Sequence, residues 1–336
     1  MNRYLTKSRF KLALECETKL FYTHKKEYCD QKVDDPFLEA LAEGGFQVGE
    51  LAKCYYPDGV MIEDLNYEIS LRKTNQLLAR ENVIIFEAAV KFENLFARVD
   101  ILIKEGKTLH LLEVKSKTFE GVDQTDLLKK KTPAIITKWR PYVYDVAFQK
   151  LIMLKAFPGY DIYSYLVLTD KNKVATVDGL NQLFRIMKEN GRSKVIVAPN
   201  INKNKLGESI LVEVKVDDII QDIYDGNDFP ERDDMSFENW VLYLSEKYRN
   251  DEKIPPQLSK KCKDCEFRCP DDVIGKKDGF KECWGEELGW QDEDFKKPSV
   301  LDIWDYRKKD DLLEEGKLFM EDLSKTDIDI KPLAQN

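Results

Sequence analysis

The sequence is short of histidine, of long apolar runs and of residues that break regular structure. Two histidines, His24 and His110, in 336 residues are too few for a histidine-built metal site. No apolar stretch approaches the ~20 residues that a spanning helix needs. The opening Met1-Asn-Arg-Tyr-Leu-Thr-Lys-Ser-Arg-Phe10 lacks the apolar segment and small-residue cleavage site of a secretory signal. A cytoplasmic chain without a membrane partner is therefore expected. With 12 prolines and 16 glycines, collagen-like, mucin-like and wholly disordered classes are excluded. What remains is a globular composition, 43% hydrophobic and 34% charged, with 53 basic against 62 acidic residues.

Charge is unevenly spread along the chain. Ala97 to Lys150 carries 11 basic and 7 acidic residues, whereas Cys283 to Asn336 carries 8 and 15. A polyanion is drawn to the first stretch and repelled by the second, although ordinary solvated faces have the same composition. The seven cysteines are uneven too: Cys16, Cys29 and Cys54 are scattered early, while Cys262, Cys265, Cys269 and Cys283 crowd together late. In a reducing compartment such a cluster reads as metal ligands or redox groups.

Periodicity predicts a helix over residues 5–30 with Ser8 as its cap, then helices from Pro36 to Ala52 and from Asn66 to Ala79. Val83 to Phe92, Phe96 to Ile103 and Thr108 to Lys115 read as strands, with turns at Asn94 and at Glu105-Gly106-Lys107. Gly121 to Pro141 has no clear period and reads as a loop or short-helix region. Beyond it a helix is expected over Tyr142 to Phe157, a strand over Ile162 to Leu168 and a helix near Val177 to Asn190. Leu211 to Val216 reads as a strand and Phe237 to Arg249 as a helix, with short helices in the acidic tail. Helices, antiparallel strands, then helix and strand indicate an α/β core rather than a parallel doubly wound sheet. Lys331-Pro-Leu-Ala-Gln-Asn336 closes no element, which suggests a fragment or a tail docked on a partner.

The sharpest chemical signal is Arg98-Val-Asp100 followed by Glu113-Val-Lys115-Ser116. Side chains two apart on a strand share a face, so Glu113 and Lys115 project together, and a hairpin brings Asp100 beside them. Two such carboxylates suit Mg²⁺ or Mn²⁺, with Lys115 placed to orient a nucleophile and offset charge on a phosphate. Leu109, Leu111, Leu112 and Val114 imply a buried strand, where unpaired charges are costly. Glu50 is the candidate third carboxylate and Glu87 the second choice, while Gln149 on the following helix is a candidate contact to the site. Cys262, Cys265, Cys269 and Cys283 could supply a zinc site locally, and an iron–sulfur cluster could recruit Cys16 instead. The basic stretch Lys129, Lys130, Lys131, Lys138, Trp139 and Arg140 is a candidate strand-contact loop.

Asp100, Glu113 and Lys115 resemble the D…E-x-K motif of the PD-(D/E)XK nuclease superfamily, and Gln149 stands where the RecB-type branch places its glutamine. Cys16 with the late cysteine group is similar to the branch whose nuclease domain is stapled by a four-iron cluster, which includes AddB and the CRISPR-associated RecB-like exonucleases. The opening Leu5 to Cys16 with Lys19-Leu-Phe-Tyr22 also resembles uncharacterised bacterial proteins of that branch, which tend to carry a second nuclease-like module. The likeness covers about residues 5–285. It departs from the branch in lacking a histidine near Gly49-Glu50, in having Met153 where a tyrosine is usual, and in the spacing of Cys269 and Cys283.

The resemblance implies a restriction-endonuclease-like mixed sheet flanked by helices, with a cysteine-bound metal cluster joining the N- and C-terminal segments. Residues 1–80 would form an N-terminal helical segment, 81–235 the nuclease core, 236–285 a C-terminal helix with the cysteine motif, and 286–336 an acidic tail or linker. It implies Mg²⁺ or Mn²⁺ held by Asp100 and Glu113 with the Val114 carbonyl, Lys115 as catalytic lysine, and Glu50 as a further ligand. A [4Fe-4S] cluster, or zinc in its place, would be bound by Cys16, Cys262, Cys265 and one of Cys269 or Cys283. The implied activity is a metal-dependent DNA nuclease, an exonuclease on single strands or ends. The alternative is a nucleic-acid-binding or interaction module of a larger complex, with the acidic tail meeting a partner or a second nuclease-like module.

Overall fold

The computed structural model describes residues 3–32, 36–189, 192–228, 235–324 and 326–328. In chain order its strands are β1 (Leu5–Thr6), β2 (Val60–Met61), β3 (Asn82–Phe92), β4 (Leu95–Glu105), β5 (Thr108–Phe119), β6 (Asp161–Asp170), β7 (Phe184–Glu189), β8 (Arg192–Val197) and β9 (Leu211–Lys215). Its α-helices are α1 (Lys7–Glu15), α2 (Lys19–Tyr22), α3 (Pro36–Cys54), α4 (Tyr67–Leu78), α5 (Arg140–Ala156), α6 (Lys203–Leu206), α7 (Asp217–Tyr224), α8 (Phe237–Asn250), α9 (Gly279–Leu288) and α10 (Lys309–Glu314). They fall into two compact units, one of Met1–Lys11 with Pro36–Asp251, the other of Leu12–Asp35 with Glu252–Asn336. None of the described helices is long and apolar enough to cross a membrane.

The first unit is built on a mixed sheet in the order β2-β3-β4-β5-β6-β9, with β1 added alongside β4. β3, β4 and β5 run antiparallel, whereas β5 and β6 are parallel and are joined through α5, as a crossover connection requires. Gly106, with φ +58°, makes the tight β4–β5 turn. The sheet is flanked by helices: Leu51 and Ala52 of α3 pack with Ile101, Leu112 and Val167, while ten consecutive or near-consecutive side chains of α5, Val143 to Met153, are buried. Asn66 caps α4 by accepting from the amides of Glu68 and Ile69, and Ser236 caps α8 through the amide of Asn239, each supplying acceptors to otherwise orphaned donors.

A splay between two strands makes room for chemistry. β4 pairs with β5 only over Ile101–Glu105, and the far end of β4, Leu95 and Phe96, takes β1 as its neighbour. Asp100 lies in the gap between those pairings.

The expected helix over residues 5–30 is corrected. Leu5–Thr6 is a strand, Ser8 lies within α1 rather than capping it, and the helix ends at Glu15 before α2 begins at Lys19. The physical reason is the open edge at Leu95 and Phe96, which satisfies the backbone of the first residues better than a longer helix would. The helix expected near Val177 to Asn190 is corrected as well: a 3₁₀ turn over Leu180–Leu183 leads into the β7–β8 hairpin. Between Gly121 and Pro141 the regular element is a 3₁₀ turn at Gln124–Leu127. Lys331 to Asn336 lies outside the described residues.

The second unit combines its early and late chain segments. Tyr22, Tyr28 and Phe267 form one buried cluster, and Phe280, Trp284, Trp290 and Leu301 another. A disulfide joins Cys29 to Cys269 across 240 residues of sequence.

Candidate active site

The sheet, α1 and α5 bring five charged groups and one amide together. Glu113 of β5 is fully buried and accepts hydrogen bonds on both oxygens: Lys7 Nζ donates to Oε1 and Oε2 at 2.9 Å each, and Gln149 Nε2 donates to Oε2 at 2.8 Å. Lys115 Nζ also pairs with Glu113 Oε1 and reaches Asp145 Oδ2 at 2.9 Å. Asp100 Oδ2 accepts from the Val114 amide at 2.8 Å, and its Oδ1 lies 3.4 Å from Lys7 Nζ. Asp145 and Gln149, one helical turn apart on α5, are both fully buried, as i,i+4 neighbours aimed at one spot must be.

Three carboxyls, Glu113 and Asp145 fully buried and Asp100 partly so, thus face two ammonium groups, and the shortfall raises both Asp100 and Asp145. For Asp100, burial and the neighbouring Glu113 push the carboxyl up to about 6. Burial opposes the charge on Glu113, but Lys115 and Lys7 outweigh it and hold that carboxyl well below the usual range. For Lys115, too, burial is overcome by Glu113 and Asp145, which keep the ammonium protonated far above neutrality. Lys115 therefore holds its positive charge between Glu113 and Asp145.

Asp100, Glu113, Lys115 and Gln149, singled out from the sequence, stand together here. Lys7 and Asp145 complete the set and were not anticipated. Glu50 is engaged in a neighbouring chain of ion pairs: it pairs with Lys53 at 2.9 Å, Lys53 reaches Glu87 at 3.4 Å, and Glu87 meets Arg98 Nε at 3.5 Å. Glu87 falls between the pairs Phe86–Ile101 and Ala88–Val99 of the β3–β4 register and has φ +55°, a region that non-glycine residues seldom adopt. In the expected strand-contact loop Lys129, Lys130, Lys131 and Lys138 are exposed. Trp139, however, is only 3% exposed and packs edge-on against Phe119 and Tyr142. Arg140 is tied to Asp228 at 2.9 Å. The Trp139 indole is thus turned into the fold, while the Arg140 guanidinium stays partly exposed beside Asp228.

A second constellation lies in the other unit. Cys16, Cys262, Cys265 and Cys283 line one small cavity of about 30 Å³, with Tyr22, Phe280 and Trp284 among its walls. Cys269 is not among them, being bonded to Cys29, which separates the two late cysteines that the sequence left as alternatives. Burial raises all three late thiols, Cys265 to about 12 and Cys283 to about 11. The Tyr22 hydroxyl is 3.3 Å from Cys283 Sγ. Trp284 Nε1 is buried without an acceptor of ordinary geometry.

Among the described residues no three His, Cys, Asp or Glu side chains stand in metal-binding geometry. In both constellations the donor chemistry nevertheless suits a metal: hard carboxylate oxygens short of positive charge in one, four thiols around a single cavity in the other. No protein-family model matches the chain, and no curated protein is significantly similar to it. The fold and the side chains alone define it as an α/β protein with a mixed central sheet and a buried carboxylate–lysine site.

Proposed function

We propose that the first unit is a metal-dependent nuclease of the PD-(D/E)XK kind acting on DNA single strands or ends. One observation carries the reading: Asp100, Glu113 and Lys115 are held together at a strand splay by Lys7 and the Val114 amide, with a deficit of positive charge. Asp100 and Glu113 would hold Mg²⁺ or Mn²⁺, which supplies an acidified water and polarises a phosphoryl oxygen. The chain's own groups set the geometry. The Val114 amide fixes Asp100, and Gln149 fixes the inner oxygen of Glu113. Asp145 anchors the Lys115 ammonium, so that its charge is aimed where negative charge grows on the phosphate. Lys7 lies on both carboxylates and has to move aside for a divalent cation to take their oxygens.

The same reading gives Cys16, Cys262, Cys265 and Cys283 to one metal group, a [4Fe-4S] cluster or, alternatively, zinc. A metal would turn the raised thiols into thiolates, and a ligand bound only by the folded chain stabilises it. Its role is structural: chelation should unfold the second unit, and a far-UV signal that holds steady would count against that role.

The Lys7 contacts favour one rival, a nucleic-acid-binding module whose ion pairs are purely structural. Cleavage time courses on labelled single-stranded DNA, duplex DNA and RNA, with Mg²⁺, Mn²⁺ or EDTA, decide between them. Metal-dependent cleavage that disappears in Asp100→Ala and Lys115→Ala supports the nuclease. A metal-replete chain that binds DNA and cuts nothing supports the binder.

A further inference from the structure

The β7–β8 hairpin is inserted between β6 and β9, adjacent strands of the sheet. Its two faces differ sharply. Phe184 is buried in the same core as Leu51 and Leu112, with Val195 and Val197 packed against it, and Gln47 Nε2 of α3 donates to the Phe184 carbonyl at 2.6 Å. The hairpin is therefore fixed to the body of the unit and is not a loose flap. Its other face carries Arg185 opposite Ile196 and Met187 opposite Lys194. All four are exposed, Met187 by 56% and Ile196 by 43%. Cations and aliphatic side chains thus alternate on one ribbon, with outward residues of each strand about 7 Å apart.

Charge on and after the hairpin opposes that of the whole. Residues 184–206 hold six basic residues and one acidic one in a chain of net charge −9. Among the described residues no carboxylate pairs with Arg185, Lys194 or Lys203, and Lys203 is exposed on the short helix that follows. α3, to which the hairpin is bonded, lies against β5 at Ser116, where a Cβ on Gly45 would stand 3.9 Å from the serine oxygen. Ser116 adjoins Lys115, so the hairpin is braced on the strand that carries the proposed catalytic lysine, on its opposite face.

We propose that the outward face of β7–β8, with Lys203, is a holding surface for single-stranded nucleic acid, binding phosphates through Arg185, Lys194 and Lys203 and base faces on Met187 and Ile196. This rests on the nuclease reading and adds to it a second contact, away from the scissile bond. A single strand is the fitting partner because it offers phosphates and uncovered bases together, whereas a duplex hides its bases.

The test uses the full-length chain in EDTA, with fluorescence anisotropy on a labelled oligothymidine, its RNA counterpart and a duplex over a range of salt. The triple variant Arg185→Ala, Lys194→Ala, Lys203→Ala should bind the single strand about tenfold more weakly or worse, and lose about 2 from the slope of log affinity against log salt. Met187→Ala with Ile196→Ala should weaken binding and leave that slope in place. With Mg²⁺ the triple variant should raise KM and spare kcat. Matching far-UV spectra and melting curves exclude misfolding, and Lys194→Gln alone gives a milder second reading of the same effect. Wild-type affinity and slope in the triple variant, with binding lost instead in Lys129→Ala, Lys130→Ala, Lys131→Ala, would overturn the proposal and leave the nuclease reading standing. Tighter binding to phosphatidylglycerol vesicles than to DNA would overturn it in favour of a lipid surface. No binding of the wild-type chain to any nucleic acid would sink both.

Discussion

Replacing Asp100 with asparagine should make the protein more stable while removing the proposed nuclease activity. In the folded chain, burial and Glu113 move the Asp100 carboxyl from an ordinary 3.8 to about 6. Two units are worth about 3 kcal/mol, the amount by which the ionised carboxylate is disfavoured in the native state above that value. Asparagine keeps an acceptor for the Val114 amide and leaves Glu113 and Asp145 balanced by Lys7 and Lys115. It forfeits the 3.4 Å contact to Lys7, and the Asp100 side chain is 23% exposed, so a gain of about 1–2 kcal/mol at pH 7.5 is the realistic expectation. The sign with pH follows from linkage. Between about 4 and 6 the folded wild-type chain binds a proton that the unfolded chain does not, so its stability rises as pH falls through that window. Asp100→Asn lacks that slope, and the difference between the two proteins should shrink to nothing near pH 4. Urea unfolding in EDTA at pH 4, 5, 6 and 7.5, followed by circular dichroism, measures it. A variant less stable than wild type at pH 7.5, or a difference that does not narrow on acidification, would refute the charge-deficit argument.

Three further outcomes are expected. Gln149→Leu strips one donor from the buried Glu113 carboxylate and should cost about 1–3 kcal/mol at neutral pH, with a fall in cleavage that Mn²⁺ titration can apportion between binding and rate. Iron or zinc content measured on purified chains should drop sharply in Cys16→Ser and Cys283→Ser and be retained in Cys269→Ser; equal retention in all three would dissolve the four-thiol assignment. Reducing the Cys29–Cys269 bridge, which spans 240 residues, should lower stability by about 2–5 kcal/mol, read as a shift in urea midpoint with and without reductant, and a free-thiol count that reductant leaves unchanged would mean that the bridge does not form in solution.

The central hairpins were legible because alternation and turn chemistry agree there. Asp100 and the pair Glu113 and Lys115 could be placed on one face from strand period alone. Asp145 is legible in principle: α5 is buried nearly all round, so a carboxylate one turn before Gln149 has to be buried and paired. Lys7 leaves almost no signal, since its position depends on a two-residue strand pairing with Leu95 and Phe96, a long-range event without local pattern. The spacing over Val177 to Asn190 favours a helix, although the sequence Asn190-Gly191 is a dipeptide typical of hairpin turns and β7 pairs with β8. The outward Met187 and Ile196 of that hairpin blur the alternation on which a strand reading depends. The separation of Cys269 from Cys283 was likewise beyond spacing, because it is decided by the approach of Cys29.

The second unit is assembled from chain ends made at different times. During synthesis at about 5–20 residues per second, Cys29 leaves the ribosome roughly 12 to 48 seconds before Cys269, its partner 240 residues later. Over that interval Tyr22 and Tyr28 lack Phe267, with which they cluster, while Cys16 waits for Cys262, Cys265 and Cys283. Any bridge or metal group in that unit is thus necessarily a late event in biogenesis. Chains truncated before Phe267 would display an aromatic surface and an unmatched thiol, the marks by which quality control recognises unfinished protein.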